Sequence, residues 1–335
     1  MLNVEEAISA SFSSKTIAII GDLVADQFLN GTISRVSREA PVFILRHDMT
    51  TTQPGAAANA AANVASLGGN PILIGTVGSD ATGDLLLRSL RETGVALDSI
   101  VPSSDITTTA KVRVLAGQHY AARQQVIRID YENSVKLPET VRATLRRKLA
   151  DVADTLHAIV VSDYNYGAVF DEIFQDARAI SERRQIPLIV DSRYRLADLA
   201  HATTATPNRE EVAEILGENF SHADCEALRT RLRFTALVVT NGNEGMTLFE
   251  EGRPPHNIDA IGPKEPVDVT GAGDTVIAAY ALGLGSGLDF AEAANLANHA
   301  GGLVVMKKGT ATVTSNELAE SVAALRDSVT STRAG

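Results

Sequence analysis

The sequence predicts an α/β fold, with a mostly parallel central sheet covered by helices on both faces and a small β-sheet beside it. Three observations predict this fold. Short apolar runs typical of buried strands alternate along the chain with longer helical patterns. Several of these runs end in a polar residue, as strands do where an open sheet meets a ligand. Two further segments, 42–52 and 107–130, interleave β-branched with charged residues and predict exposed ribbons.

The elements follow in chain order. Buried strands are expected where short apolar runs end at polar or turn residues; these runs cover 15–22, 71–77, 158–163, 187–191, 203–206 and 237–240. Helices are expected where apolar residues recur at helical spacing; these patterns cover 56–67, 85–93, 139–156, 169–184, 209–216, 225–233, 275–284, 290–307 and 315–327. Because strands and helices alternate, we expect parallel strands joined by helical crossovers.

Length and composition limit the class of protein. The 335 residues, 44% of them hydrophobic, suit one domain over 1–335, with lid strands inserted at about 30–54 and 106–130. No apolar run has the length of a membrane span, and the N-terminus lacks a signal-peptide pattern. The single cysteine, Cys225, excludes a disulfide framework. We therefore expect a cytoplasmic protein without a membrane partner, and the net charge of −11 argues against nucleic acid.

The stretch Gly271-Ala272-Gly273 lies just before an apolar helical pattern. The two glycines let backbone N–H groups face outward, and the helix N-terminus adds partial positive charge, which together favour an anion. Asp274 lies at the end of this predicted anion site, where the negative charge of a carboxylate is electrostatically costly because it competes with a bound anion. This indicates a general base for a hydroxyl that attacks a phosphoryl group. An ordinary strand–turn–helix corner is the alternative.

Other polar residues are candidates for binding a hydroxylated ligand. Asn59 falls in the first turn of the small-residue helix that follows Gly55, where its amide can both donate and accept. A tightly packed alanine-rich helix is the alternative. Asp22, Asp26 and Asp163 follow buried strands, and Asp22 and Asp26 lie four residues apart, a spacing that suits sugar hydroxyls.

Basic residues on the predicted ribbons, and one after the predicted strand 187–191, are candidates for binding a substrate phosphate. The alternative interpretation is that they are solvated surface charges. They are Lys111, Arg113, Arg123, Arg128 and Arg193.

Two short motifs are candidates for the phosphate donor. Asn208 and Glu211 lie one turn apart at a helix start, where a carboxylate can hold the water shell of Mg²⁺; simple helix capping is the alternative. The turn that contains Thr240, Gly242 and Gly245 can cradle nucleotide phosphates through backbone amides. A plain hairpin turn explains it equally well.

These pieces, in this order, resemble the ribokinase family, also called the PfkB carbohydrate kinases, from about 15 to 327. The stretch Asp268-Val-Thr270-Gly-Ala-Gly-Asp274 is similar to the family's second signature, and 55–68 to the first. The resemblance implies a ribokinase-like fold and an ATP-dependent kinase with Asp274 as the base. It implies these further roles: Gly271, Ala272 and Gly273 as the anion hole; Gly55 and Asn59 in the sugar site; Asn208 and Glu211 at Mg²⁺ and phosphate, with Glu211 acting through water; Thr240, Gly242, Gly245 and Thr270 at ATP; Asn298, Lys307 and Gly309 around the nucleotide base.

One branch of that family looks closest: the bacterial heptose 7-phosphate kinases of lipopolysaccharide precursor synthesis. The similarity lies in 37–42, 111–115, 124–130, 162–164, 245–248, 268–276 and 309–313. In that branch these stretches bind or frame the sugar phosphate, which implies a role for Gln125 as well. Three departures lie on the sugar side: Gly55-Ala56 where the family usually has two glycines, Asp191-Ser192-Arg193 where the branch tends to have Asp-Pro-Lys, and a longer segment at 116–123.

The sequence therefore predicts an ATP- and Mg²⁺-dependent kinase that acts on O1 of D-glycero-D-manno-heptose 7-phosphate. Kinases for ribose, fructose or fructose 6-phosphate remain alternatives, as does a catalytically silent sugar- or nucleotide-binding regulator. A dinucleotide-dependent oxidoreductase shares the sheet class but would need a Gly-x-Gly-x-x-Gly fingerprint, which the chain lacks. Exposed ribbon edges predict a homodimer formed through the lid.

Overall fold

The computed structural model describes residues 4–118, 123–132, 136–263 and 265–333; the side chains of Glu5, Ser9 and 325–333 are outside that description. Its strands are β1 (Thr16–Gly21), β2 (Leu23–Val36), β3 (Phe43–Ala56), β4 (Asn70–Gly78), β5 (Ile100–Ser103), β6 (Thr109–Gly117), β7 (Gln124–Tyr131), β8 (Ala158–Asp163), β9 (Leu188–Ser192), β10 (Thr204–Ala205), β11 (Ala236–Thr240), β12 (Met246–Glu250) and β13 (His256–Ile258). Its helices are α1 (Val4–Glu6), α2 (Ala57–Ser66), α3 (Ala81–Glu92), α4 (Glu139–Val152), α5 (Asp171–Arg184), α6 (Arg209–Leu216), α7 (His222–Leu232), α8 (Ala272–Gly285), α9 (Phe290–Val304) and α10 (Ser315–Arg333).

The main sheet is mostly parallel, as predicted. Within the described residues it has nine strands in the order β13-β12-β11-β10-β9-β8-β1-β4-β5. Every pair from β11 across to β5 is parallel, and only the edge pairs β11–β12 and β12–β13 are antiparallel. All six predicted buried strands lie in this sheet. The sequence did not predict β5, β12 and β13. Strands β5 and β13 are short strands at the two edges of the sheet, whereas β12 is a buried five-residue strand whose apolar run was not recognised as a strand.

The sheet is buried on both faces, which explains its continuous apolar strands. In β1, Ile17 and Ile19 contribute to one hydrophobic core, whereas Ala18 and Ile20 contribute to the other. Helices α2, α3, α8 and α9 cover the first core, and α4, α5, α6 and α7 cover the second. Among the helices in the described part of the chain, none is both long and apolar enough to cross a membrane.

In the described part of the chain, a separate sheet has four strands in the order β3-β2-β6-β7. It confirms the predicted small sheet, and β2 starts at Leu23, two residues after β1 ends, so this sheet rises from the carboxyl edge of the main sheet. The first part of β2 was not predicted as a ribbon, because Leu23, Val24 and Ala25 are buried like residues of a core strand. The segment 116–123 includes residues 119–122, which lie outside the described residues.

Candidate active site

The start of helix α8 lies where strands β1, β8 and β9 end. Gly271 precedes the helix with φ +75° and ψ 12°. A Cβ at this position would lie less than 3.0 Å from Nδ2 of Asn59, so the geometry requires glycine. Gly273 is exposed, and a Cβ there would meet open space, with no other part of the described structure within 4 Å beyond its chain neighbours and the local helix backbone. Its N–H belongs to the first helical turn, where amides have no partner within the helix. The Ala272 N–H donates to the Val269 carbonyl at 3.2 Å.

Asp274 is 3% exposed in that first turn. Asn59 Nδ2 donates to Asp274 Oδ2 at 2.8 Å, and the Tyr164 hydroxyl donates to Oδ1 at 3.1 Å. Burial raises the pKa of Asp274 to about 7, although both hydrogen bonds act to lower it. A carboxylate with a pKa near neutrality is suited to accepting and releasing a proton.

A buried network fixes Asn59. Its Oδ1 accepts from Nδ2 of Asn63 at 3.2 Å. Oδ1 of Asn63 accepts in turn from Thr275 Oγ1 at 3.0 Å and from the Val313 N–H at 3.4 Å. Both asparagines are fully buried, so each polar atom needs such a partner. The alanine-rich helix α2 is therefore tightly packed, and Asn59 contacts the candidate base; its contact with a sugar stays a prediction.

Asp26 lies at the base of the second sheet and is 4% exposed. Its carboxylate forms an ion pair with Arg113 on the neighbouring strand β6. A Cβ at Gly55 would lie less than 3.0 Å from Oδ2 of Asp26, so the glycine makes room for this carboxylate. Ala56 follows with φ +54° and ψ −132°, a region that L residues rarely adopt. The backbone thus keeps the conformation of a second glycine where the sequence has alanine.

The predicted basic residues divide into two groups. Three are paired with carboxylates: Arg113 with Asp26, Arg123 with Asp48 at 2.7 Å, and Arg128 with Asp130 at 2.8 Å. Among the described residues, Lys111 and Arg193 have no carboxylate within ion-pair distance, and they are therefore the better candidates for holding an anion. Gln125 is exposed on β7, opposite Leu115 of β6.

Lys111 is 8% exposed. Its Nζ lies 5.0 Å from the centroid of the Tyr164 ring and 5.8 Å from that of Tyr166. Burial lowers the pKa of Lys111; Asp26 acts to raise it, and the nearby charges of Arg193 and Arg128 lower it further. A buried ammonium group beside other cations is destabilised, and a bound anion would stabilise it.

Asp22 and Asp163 follow or end their strands, and their carboxylates accept hydrogen bonds from backbone N–H groups of the loop after β8. Asp22 accepts three N–H groups, from Tyr164 at 2.9 Å, Tyr166 at 3.0 Å and Ala168 at 2.9 Å. Burial raises the pKa of Asp22 to about 6, against the lowering effect of these bonds. Asp163 accepts from the Asn165 N–H at 3.0 Å and from Ser192 Oγ at 2.8 Å. Both carboxylates shape the loop at 164–168, and their contact with a sugar stays a prediction.

Asn208 and Glu211 form a complete capping box at the start of α6. Glu211 Oε2 accepts from the Asn208 N–H at 2.9 Å, and Asn208 Oδ1 accepts from the Glu211 N–H at 2.9 Å. The capping role that the sequence left open is therefore present, and a role at Mg²⁺ stays a prediction.

A pair of carboxylates, Asp191 and Glu211, fits a divalent cation. Burial raises the pKa of Glu211 to about 7. Burial also raises the pKa of Asp191, and the charges of Glu211, Asp274 and Asp163 raise it further. Among the described residues no atom hydrogen-bonds or ion-pairs with the Asp191 carboxylate. Over the same residues no group of three or more His, Cys, Asp or Glu could hold a metal directly. Binding of Mg²⁺ through its water shell therefore fits this donor set.

A cavity of about 210 Å³ lies beside the start of α8. Its lining includes residues predicted to contact the nucleotide or the anion: Thr240, Gly242, Gly245, Ala272, Gly273 and Asn298. The remaining wall is mainly apolar, with Ile261, Val269 and Val305 among its residues. The turn at 240–245 is also the tight connection of the β11–β12 hairpin, so both alternatives for this motif fit the structure.

Three predicted nucleotide residues lie outside that lining. Lys307 donates to the Thr312 carbonyl at 2.7 Å and pairs with Glu317 at 2.7 Å. Thr270 and Gly309 both donate to the Asp268 carboxylate and so tie two loops together. Their contact with a nucleotide stays a prediction.

Sequence reasoning gave no individual role to two residues of this site, Tyr164 and Asn63, and it treated Asp191 only as one of the polar strand ends. Signals for them were present. Tyr164 follows the polar end of β8, and Asp191 is itself the polar residue near the end of β9, at the sheet edge where ligands bind. Asn63 lies four residues after Asn59, on the same helical face.

The sheet, the amide-rich helix start and the adjoining carboxylate define a class, the phosphotransferases that act on an alcohol group. Comparison with known proteins agrees with this. Residues 14–317 match the model of the family described as "pfkB family carbohydrate kinase". The chain therefore belongs to this family of sugar kinases, whose reaction is phosphoryl transfer to a sugar hydroxyl.

Several curated relatives are named "Bifunctional protein HldE". The one from Mesorhizobium japonicum is 38% identical over 315 residues, which cover 92% of this chain and 62% of the relative. The one from Vibrio parahaemolyticus is 35% identical over 332 residues, which cover 96% of this chain and 66% of the relative. The chain thus spans less than two thirds of the length of these relatives.

Solved structures show the same fold at low sequence identity. Arabidopsis thaliana ribokinase, complexed with ribose and ATP, is 20% identical, with a TM-score of 0.69 over 92% of this chain and 98% of that one. Escherichia coli phosphofructokinase-2, in complex with substrates and products, is 18% identical, with a TM-score of 0.74 over 93% of this chain and 99% of that one. The ribokinase-like fold that the sequence predicted is therefore confirmed.

Proposed function

We propose that this kinase transfers the γ-phosphoryl group of ATP to a sugar phosphate, namely to O1 of D-glycero-D-manno-heptose 7-phosphate. The observation that carries the proposal is Lys111, a buried ammonium group that has the charges of Asp26, Arg193 and Arg128 nearby and no ion-paired carboxylate among the described residues. An uncharged sugar would leave this cation unsatisfied, whereas a phosphate on the substrate would pair with it.

The position of Lys111 supports a particular shape of substrate. The ring of Tyr164 lies between Lys111 and Asp274, with its face toward the ammonium group and its hydroxyl on the carboxylate. A substrate that spans this distance has its phosphate at one end and its reacting hydroxyl at the other. A heptose phosphorylated at O7 and reacting at O1 has this arrangement, with Asp26 placed to bind a hydroxyl between the two ends.

In the proposed reaction Asp274 removes the proton from the acceptor hydroxyl. Backbone amides at the start of α8, that of Gly273 foremost, stabilise negative charge on the moving phosphoryl group. The acceptor oxygen forms a bond to the γ-phosphorus as the bond to the bridging oxygen of ADP breaks. Glu211 and Asp191 would hold Mg²⁺ through its water shell, where the ion would neutralise charge on the donor phosphates.

The cavity beside α8 supports the choice of a nucleotide as donor. It opens at Gly273, close to the proposed site of transfer, and its apolar wall suits a flat base. Asn298 and the glycines at 242 and 245 lie in the same cavity. The donor phosphates would then extend toward the helix N-terminus, which favours anions.

The choice of heptose phosphate rests on two further points. The stretches that resemble the heptose 7-phosphate kinases include strands β6 and β7, which carry Lys111 and Arg128. The curated relatives named HldE match more than nine tenths of this chain at 35 to 38% identity.

The second sheet would cover the sugar as a lid and exclude water from the transfer.

The test is a coupled ADP-release assay with a panel of heptose 7-phosphate, free heptose, ribose, fructose and fructose 6-phosphate. We expect the highest kcat/KM with heptose 7-phosphate, and phosphorus NMR should show a new anomeric phosphate. Turnover of ribose or fructose without turnover of heptose 7-phosphate would contradict the substrate. No turnover with any sugar would favour a silent binding protein.

Two variants separate the parts of the proposal. Lys111→Met should lower kcat/KM for the sugar phosphate by at least about 10-fold and leave that for free heptose unchanged, because a lost charge-assisted bond is worth about 1.5 to 3 kcal/mol. Asp274→Asn should lower kcat by about 100- to 10,000-fold and leave ATP binding intact. Near wild-type turnover in Asp274→Asn would exclude this residue as the base.

The exposed face of the second sheet supports a homodimer. Strand β7 is exposed along its whole length, and it carries the large apolar side chains of Val126, Ile127 and Ile129. Contact with the same sheet of a second copy would bury these side chains and cover the sheet edge.

A further inference from the structure

We infer that Tyr164 is a positioning residue for the base: its hydroxyl orients the Asp274 carboxylate, and Asp22 holds Tyr164 in place through the backbone of the loop at 164–168. The inference rests on the proposed function, because it takes Asp274 as the group that accepts the proton. It assigns a role to Tyr164 and Asp22 that differs from contact with the sugar.

The loop after β8 is wound around the Asp22 carboxylate. Asn165 and Gly167 have left-handed backbones, with φ +64° and φ +103°. Between and beside them, three alternate residues direct their N–H groups to Asp22, namely Tyr164, Tyr166 and Ala168. Left-handed residues at every second position turn the amides of the alternate residues toward a single anion. Because Asp22 is 3% exposed and directly follows β1, the loop is anchored to the centre of the main sheet.

The loop anchored in this way places the Tyr164 hydroxyl within hydrogen-bond distance of Asp274. The Tyr164 hydroxyl donates to Oδ1 at 3.1 Å, while Asn59 donates to Oδ2 at 2.8 Å. Each carboxylate oxygen therefore has one donor, which sets the plane of the carboxylate and leaves further lone pairs for a substrate proton. Without the hydroxyl, Asn59 would be the one remaining hydrogen-bond donor to this carboxylate among the described residues, and the torsion that it restrains is intrinsically broad.

Several charged groups around Asp274 also affect its pKa, and a test at Tyr164 has to leave them unchanged. Asp26 on β2 raises the pKa of Asp274 and Lys111 on β6 lowers it, both less than burial and the two hydrogen bonds do. Asp191, at the end of β9, lies within electrostatic reach, and Glu211 on α6 acts on Tyr164. Tyr164→Phe keeps all four charges and the ring below Lys111, so it removes only the bond to Oδ1.

The first test compares Tyr164→Phe with wild type in steady-state kinetics over pH. We expect kcat to fall by about 10-fold or more, with KM for the sugar phosphate within about twofold, because the ring stays in place. The acid limb of kcat should move up by roughly 0.5 to 1 pH unit, because a bond that lowers the pKa of Asp274 is lost. Tyr166→Phe is the matched control: it removes a hydroxyl of the same loop that donates to Glu132 at 3.2 Å, and its acid limb should not move.

A second readout needs no substrate. NMR of protein labelled with ¹³C at the aspartate carboxyl groups gives the pKa of Asp274 directly, with Asp274→Asn assigning the signal. In Tyr164→Phe this pKa should rise by the same 0.5 to 1 unit. An unmoved pKa together with an unchanged kcat would overturn the inference. Absence of sugar turnover by the wild type would overturn the proposed function alone, because the shift of the NMR titration would still demonstrate the link from Tyr164 to Asp274.

Asp22→Asn tests the anchor. An amide nitrogen cannot accept a hydrogen bond, so at least one of the three N–H groups loses its acceptor and the loop loosens. We expect a lower kcat, a higher pKa of Asp274 and a lower melting temperature. A variant that melts lower but keeps the wild-type pKa of Asp274 would show that Asp22 stabilises the fold without positioning the base.

Discussion

Gly271 and Gly273 flank the same alanine, but they are subject to different physical constraints. Paired substitutions by alanine therefore separate what the fold requires from what the reaction requires. Gly271 has a left-handed backbone, and its missing Cβ leaves space for Asn59. Gly273 lies in regular helix, with open space where its Cβ would be. We expect Gly271→Ala to destabilise the protein and Gly273→Ala to leave it stable but slow.

The magnitudes follow from these contacts. A left-handed backbone costs alanine about 1 to 2 kcal/mol. The new methyl group would also displace Asn59, and the loss of its buried bond to Asp274 costs about 1 to 3 kcal/mol. Together these predict a loss of about 2 to 5 kcal/mol in the free energy of unfolding, or roughly 3 to 7 °C in melting temperature. For Gly273→Ala, better helix propensity raises stability by up to about 1 kcal/mol.

The activities should differ in the opposite sense from the stabilities. In Gly273→Ala the methyl group would occupy open space beside the amide that we propose holds the phosphoryl group, and kcat should fall by roughly 100-fold, as for loss of one oxyanion donor. Urea unfolding and the ADP-release assay measure the two quantities on the same preparations. A Gly271→Ala protein as stable as wild type would refute the packing argument, and full turnover by Gly273→Ala would refute the anion hole.

Three further predictions concern the sugar, the proton and the assembly. Gly55→Ala should displace the Asp26 carboxylate and raise KM for the sugar phosphate by about 10-fold or more; calorimetry should find ATP affinity unchanged, and an equal loss of ATP affinity would contradict this. In the wild type, kcat should rise with pH around a midpoint near 7, because Asp274 must lose its proton to act as a base and burial raises its pKa to about 7; a flat profile from pH 6 to 8 would argue against it. Sedimentation should give about twice the chain mass of 35.4 kDa for the wild type, and Ile127→Lys on β7 should give the monomer. A wild-type protein that sediments as a monomer would contradict the proposed dimer through the second sheet.

Much of the fold follows from local sequence patterns. Each central strand is an apolar run buried on both faces, as Ile17 to Ile20 in β1 illustrate, and such runs can be recognised without knowledge of their neighbours. The edge strand β13 has only three residues and carries a weak pattern, so the sequence did not predict it; the neighbouring β12 is buried, and its short apolar run was not recognised as a strand. The small sheet was predicted from its alternating residues, although its strand β2 begins further back, among buried residues.

The sequence by itself determined the family of the chain, its sheet class and the stretch around Asp274, because backbone freedom at glycine and helix polarity are local properties. Only the tertiary structure decided which polar groups meet. It directed Asp22 to three backbone amides and brought Tyr164 to a carboxylate 110 residues away. It also paired Arg113 with Asp26, whereas the described residues provide no ion-pair partner for Lys111. The reason is physical: hydrogen bonds and buried charges depend on distance and desolvation, and neither is set until distant parts of the chain have packed together.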